Sequence, residues 1–247
     1  MSNTDLKITS TRDNSPYHER GELNTHWSLW WRFKSGGRNK SYDSSNLEPV
    51  FTFSNLNEFS QIYNGSILGK YSTFIDKKLQ NRNSSNIEDK EFQNLPIDCL
   101  MLFRNGVRPE WEDKLNTKGG HFVVEINSSD YDLCDQLWKE LSCYLVGETW
   151  QNSEYVTGLR ILHKTKGDKI SIKYEIWLEI TKNERLSEKF DQIENQERIW
   201  NSLLSEFYQV VSESFGEIEK ESIKWEIHSK VPGSQPSGVN KNWKHKA

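Results

Sequence analysis

The chain is short of apolar residues. Of its 247 residues 34% are hydrophobic, and the mean hydropathy is −0.83, so part of it is expected to stay outside any packed core. It lacks an apolar run of the roughly 20 residues a membrane span needs. Its opening, MSNTDLKITSTRDNS, lacks the apolar stretch of a signal peptide. These absences lead to the expectation of a soluble, cytoplasmic protein. It also lacks a basic excess, with a formal net charge of −4. That argues against a nonspecific grip on long nucleic acid, which works by displacing counterions from many phosphates. A nucleic-acid ligand would have to be small and specifically held. Cysteine is scarce: Cys99, Cys134 and Cys143 are odd in number and set in apolar runs. They are expected to be buried free thiols in a reducing compartment.

Catalytic signatures are missing too. There is no HExxH, no CxxC and no GxSxG, and the six histidines have no metal-ligand spacing. The run Gly65-Ser-Ile-Leu-Gly69-Lys70 is one residue short of a phosphate loop, and Tyr71 stands where Ser or Thr would hold magnesium. The expectation is a binding protein, not an enzyme, with neither cofactor nor metal.

What the chain has in abundance is tryptophan, ten residues in all, a side chain suited both to cores and to stacking on flat ligands. Residues 26–34, HWSLWWRFK, alternate as a strand, with Trp27, Leu29, Trp31 and Phe33 on one face and Ser28, Trp30, Arg32 and Lys34 on the wetter one. A short strand at 49–53 leads to a helix capped by Ser54 or Asn55, with Glu58 placed as in a capping box. Strands follow at 98–104 and 121–126. A helix starts at Asp130, with its stripe on Leu133, Leu137, Leu141, Tyr144 and Leu145, and ends near Gly147. A hairpin spans 156–178 around Thr165-Lys166-Gly167-Asp168. A helical stripe covers 190–215, and a last strand lies at 223–228. Polar segments read as an arm at 1–22, an insertion at 76–94 and a tail at 231–247, leaving one domain over 23–230. The order of elements gives an α+β domain: an antiparallel sheet with helices on one face and the opposite face free for a ligand.

One stretch carries chemistry. In GVRPEWED, Trp111 is followed directly by Glu112. An indole offers a flat π face, worth about 1–3 kcal/mol per stacked base. A carboxylate only accepts hydrogen bonds, and guanine presents two donors side by side on one edge. Consecutive residues could therefore read one guanine by face and edge. Methylation at N7 makes the base cationic and strengthens both contacts. Tyr42, alone in a Gly/Ser/Asn-rich loop, is available to complete a sandwich. Lys164, Lys166 and Lys169 at the hairpin could receive phosphates. The same residues also admit plain readings: a hydrophobic plug, a solvated acid, a surface tyrosine and a solvated turn. Residue types alone leave both open.

The motifs HWSLWWRFK, NLPIDCLMLFRNGVRPEWED with KGGHF after it, LWKELSCYLVGE and KGDKISI, in this order and spacing, resemble the translation initiation factor 4E family, which binds the 7-methylguanosine cap of eukaryotic mRNA. The resemblance runs from about His26 to the tail. It implies a curved antiparallel sheet with about three long helices on its convex back and the cap at the concave front. It further implies that Trp111 and Tyr42 stack on the base, Glu112 reads its edge, and Lys164, Lys169 and His121 serve the phosphates. Lys173 stands where the family usually has a Trp near the methyl group. On the back, the partner surface for a scaffold or inhibitor protein maps to Leu56, Ser60, Lys139 and Glu140. Ser60 replaces a usual Trp there, and Lys139 replaces a usual apolar residue. The implied function is recruitment of a scaffold to capped mRNA by a monomer without membrane association. A cap-occupying repressor and an adaptor with a decayed pocket are the alternatives.

Overall fold

Alternation along each strand decides which side of a sheet its residues face. In the computed structural model, which describes residues 21–33, 47–65, 97–127, 130–166, 169–180, 190–216 and 218–228, that alternation builds one curved sheet. In chain order the elements are β1 (Glu22–Phe33), β2 (Phe51–Asn55), α1 (Leu56–Gly65), β3 (Ile97–Arg104), β4 (Gly120–Ile126), α2 (Tyr131–Val146), β5 (Val156–Lys166), β6 (Lys169–Leu178), α3 (Phe190–Phe215) and β7 (Lys224–Ile227). The strands lie in the order β2-β1-β3-β5-β6-β4-β7, and every adjacent pair is antiparallel. β3 and β4, joined by the Trp111 loop, are therefore not neighbours. The β5–β6 hairpin lies between them.

One face carries the main core. Leu100 and Leu102 of β3, Phe122 and Val124 of β4, Leu159 and Ile161 of β5, and Ile172, Tyr174 and Ile176 of β6 pack against Phe59 of α1, Leu137, Trp138 and Leu141 of α2, and Leu203 and Phe207 of α3. All three helices thus cover the same side, as the order of elements implied. Each fully buried side chain of this kind contributes about 1.5–3 kcal/mol. The helix ends follow their cap chemistry. Asp130 accepts the Leu133 N–H at 3.2 Å, and the Gly147 N–H closes on the Cys143 carbonyl at 2.9 Å. At α1, Asn55 is the cap, accepting the Glu58 N–H at 2.9 Å, while the Glu58 carboxylate reaches back to the Ser54 N–H at 2.8 Å.

Three expectations need correction. The second face is not bare. Trp30, Cys99, Met101, Phe103, Val107, Leu162 and Trp177 form a smaller core there, with Leu47, Trp111 and Leu115 packed on it. Trp30 is accordingly 5% and Ser28 1% exposed, so β1 is buried on both faces over Trp27–Trp30 where simple alternation gave one wet face. Cys99 and Cys134 are buried free thiols, but Cys143 is exposed, because it falls on the outer side of α2. β1 opens at Glu22, within the stretch assigned to an arm. The 76–94 insertion, the 231–247 tail and Tyr42 lie outside the described residues.

Candidate functional site

The loop from Asn105 to Gly119 carries the site, and its sequence explains its shape. Gly106, at φ +85°, makes the turn off β3. Val107 then plunges into the smaller core at 3% exposure. Asp113 folds the next residues around itself, accepting the Arg108 N–H at 3.0 Å and the Leu115 N–H at 2.9 Å. The Arg108 guanidinium pairs with Glu110 at 2.9 Å. Asn116, 0% exposed, is the hub. Its Nδ2 donates to the carbonyls of Arg108 and Glu110 at 2.9 and 3.0 Å. Its Oδ1 accepts from Thr157 of β5 at 2.8 Å. Buried amides are costly unless satisfied, and this one spends its capacity fixing the peptide that enters Trp111. The result is a half-buried Trp111 seated on the smaller core, with Glu112 exposed beside it. The Trp111 Nε1 is buried and has no hydrogen-bond partner among the described residues.

Beneath the loop lies a buried polar network. Arg160 of β5 and Glu175 of β6 are cross-strand partners. Both the Arg160 Nε and a terminal nitrogen reach the same Glu175 oxygen at 2.7 Å. The Trp177 indole donates to that oxygen at 3.0 Å, and Arg160 lies 4.8 Å over the Trp177 ring. Burial works to raise the Glu175 pKa, but Arg160, His121 and these hydrogen bonds outweigh it and hold it at about 2. His121 stacks on Trp177 at 5.4 Å and meets His228 at 3.0 Å. Its other nitrogen lies 3.8 Å from Glu175 and 3.6 Å from Glu226, too far for hydrogen bonds. Burial, reinforced by Arg160, lowers the His121 pKa despite these carboxylates. Burial likewise brings His228 to about 3, although its bond to the Asn116 carbonyl opposes this. Both imidazoles are neutral at pH 7.

A family model described as Eukaryotic initiation factor 4E matches residues 85–231, more than half of the chain and all of the site just described. The chain belongs to this family. Eukaryotic translation initiation factor 4E of Saccharomyces cerevisiae is 28% identical over 188 residues, 75% of this chain and 76% of that protein. The Homo sapiens factor is 28% identical over 162 residues, 64% of this chain and 63% of that one. The match to the Dictyostelium discoideum factor, at 26% identity, covers 66% of this chain and 54% of the relative. The chain thus spans between about half and three-quarters of these relatives' lengths. Solved structures agree in fold. C. elegans eIF4E-3 in complex with the 4E-binding protein Mextli superposes with a TM-score of 0.57 at 21% identity, covering 84% of this chain and 93% of that one. Ascaris suum eIF4E-3 with m7G cap gives 0.52 at 21%, covering 85% and 93%.

Against the factor 4E frame, the residues singled out from sequence fall into distinct places. Trp111 and Glu112 come together at the loop tip. Positions 164 and 169 lie in paired strands, Lys164 opposite Ser171 and Lys166 opposite Lys169. Their side chains lie outside the described residues. Lys173, opposite Leu162, pairs with Glu125 at 3.1 Å. His121 does not fit a phosphate contact: it is 2% exposed, neutral, and committed to His228 and Trp177. Leu56, Ser60, Lys139 and Glu140 lie on the helical side, away from Trp111. Leu56 is 47% exposed, and the Ser60 hydroxyl accepts from Asn64 at 2.9 Å. Lys139 and Glu140 line an open groove of about 530 Å³ with Gln136, Cys143, Tyr144 and Thr149. Glu140 there accepts from Gln136 at 2.8 Å and from Ser214 of α3 at 2.9 Å. Sequence reasoning missed Asn116, Arg160, Glu175 and His228. The signal for Arg160–Glu175 was available, because counting outward from the hairpin turn pairs them.

Proposed function

We propose that this chain binds the 7-methylguanosine cap of mRNA and acts in translation initiation. Trp111 stacks on the base, Glu112 accepts from the guanine N1 and N2 donors, and Lys164 and Lys169 hold the phosphates. Tyr42 is the proposed second stacking ring. One observation carries the reading: a loop held by its own buried Asn116 presents an indole and a neighbouring exposed carboxylate together. Membership of the factor 4E family supports it, as does fold likeness to a relative solved with m7G cap. The protein works by binding, with no chemical step. Its working domain opens with β1 at Glu22 and runs to about residue 230, and its compartment is the cytoplasm. No helix among the described residues is long and apolar enough to cross a membrane. The helical back, with Leu56, Ser60, Lys139 and Glu140, takes a scaffold or inhibitor protein; fold likeness to a relative solved with a 4E-binding protein supports this.

The test is a fluorescence titration with 7-methylguanosine triphosphate. Binding should quench tryptophan emission, and Glu112→Ala should weaken it roughly 10- to 100-fold, the cost of leaving two desolvated donors without a charged acceptor. Parent-like affinity in the Glu112→Ala variant would end the edge-reading claim. A parent that shows no quenching at all would end the cap-binding reading.

A further inference from the structure

The loop that presents Trp111 and Glu112 is held from a distant part of the chain. His228, immediately after β7 and 0% exposed, closes on it twice. Its backbone N–H donates to the Gly119 carbonyl at 3.1 Å. Its ring Nδ1 lies 2.7 Å from the Asn116 carbonyl. A carbonyl only accepts, so Nδ1 must carry the hydrogen. The Nε2 of this neutral ring is then a lone pair, and it faces His121 Nδ1 at 3.0 Å, which must therefore donate. The acceptor at one end thus fixes both tautomers. The rings are further held by Trp177, 4.3 Å from His228 and 5.4 Å from His121. Asn116, so anchored, donates through Nδ2 to the carbonyl of Glu110, whose peptide ends in the Trp111 nitrogen.

From this geometry we infer that His228 is a positioning residue: through Asn116 it latches the loop that sets Trp111 and Glu112 for the base. The consequence for binding rests on the cap-binding reading; the latch itself rests on these contacts. It assigns a role in recognition to a fully buried residue 112 positions from Asn116. Ring position matters, and not bulk. An Asn side chain places its amide near the imidazole Nδ1, whereas Gln places it near Nε2.

The experiment compares His228→Asn with His228→Gln in the full chain. Two measurements are made: amide hydrogen exchange of the 106–118 segment relative to β3, and titration with 7-methylguanosine triphosphate. His228→Asn should keep loop exchange and affinity within about threefold of the parent. His228→Gln should accelerate loop exchange at least tenfold over any change in β3 and weaken the analogue about tenfold. Equal behaviour of the two variants would overturn the inference. So would acceleration shared evenly by loop and β3, which marks a general loss of stability. If the parent itself fails to bind the analogue, the cap-binding reading falls, and the exchange comparison alone decides the latch.

Discussion

Removing one partner of the Arg160–Glu175 pair should cost far more than removing both. The two are 7% and 4% exposed, and three donors converge on one Glu175 oxygen, two from Arg160 at 2.7 Å and the Trp177 indole at 3.0 Å. Taking two ions out of water costs several kcal/mol each, and their attraction at this spacing roughly returns it. Glu175→Gln keeps the shape and an acceptor for Trp177 but leaves a buried guanidinium without its counter-charge. Arg160→Met leaves the carboxylate. Each should lose about 3–5 kcal/mol, a large share of the roughly 5–15 kcal/mol that holds a domain together. The double variant Arg160→Met/Glu175→Gln has no stranded charge, and Gln still accepts from Trp177. It should fall within about 2 kcal/mol of the parent. Urea unfolding of all four proteins at pH 7, with unchanged slopes, gives the coupling energy directly. If the two single losses simply add in the double variant, the pair is not the balanced unit described here. Single losses under about 1 kcal/mol would show that water reaches the site.

Three other outcomes are expected. His228 has a folded pKa of about 3 against an ordinary 6.5, so its contribution is complete above pH 6.5 and is lost as pH falls toward 3. At about 1.4 kcal/mol per pH unit, roughly 3 kcal/mol is gone by pH 4. Glu175, at about 2, adds a second loss that begins only below its ordinary 4.5; urea midpoints that stay level from pH 7 to pH 4 would contradict the His228 assignment, and a slope that does not steepen below about pH 4.5 would contradict that of Glu175. Gly119→Ala should destabilise by about 1–3 kcal/mol or more, because a Cβ there lands on the Leu178 carbonyl of β6; an unchanged melting temperature would refute the close approach. Lys169→Ala should weaken 7-methylguanosine triphosphate while sparing the bare methylated nucleoside, and equal losses in paired titrations would remove its phosphate role.

Much of the fold was legible because single elements advertise their burial. The alternation of Ile172, Tyr174 and Ile176, the stripe on α2 with Asp130 and Gly147 at its ends, and the Asn55–Glu58 cap all act within a few residues. What escaped depends on partners far away in sequence. Trp30 looked half wet because no local window contains Leu47, Val107 and Leu162, which share its small core. His121, after two glycines, looked basic and reachable, and only the arrival of β7 shows that it is walled in. At the site, residue types and spacing singled out Trp111 and Glu112, and the fold sets the two side by side on one loop. Asn116 passed unnoticed because an asparagine in a polar loop gives no sign of burial. Its role arises from Thr157 and His228, supplied by other strands.

The strand order has a consequence for when this surface comes into being. The Trp111 loop leaves β3 and enters β4 across two intervening strands, three inter-strand steps of about 4.8 Å each, so part of its seat, Leu162 and Trp177 of the β5–β6 hairpin, is synthesised after it. Its last anchor, His228, comes fifty residues after β6 ends at Leu178. Contacts so distant along the chain form late, once the loop-closure entropy has been met by the rest of the sheet. A nascent chain that has made β1 to β4 therefore already carries Trp111 and Glu112, but their seat still lacks Leu162 and Trp177. The ordered Trp111 loop is therefore expected among the last features of this sheet to form, and a chain interrupted before β7 would lack the His228 contacts to Asn116 and Gly119.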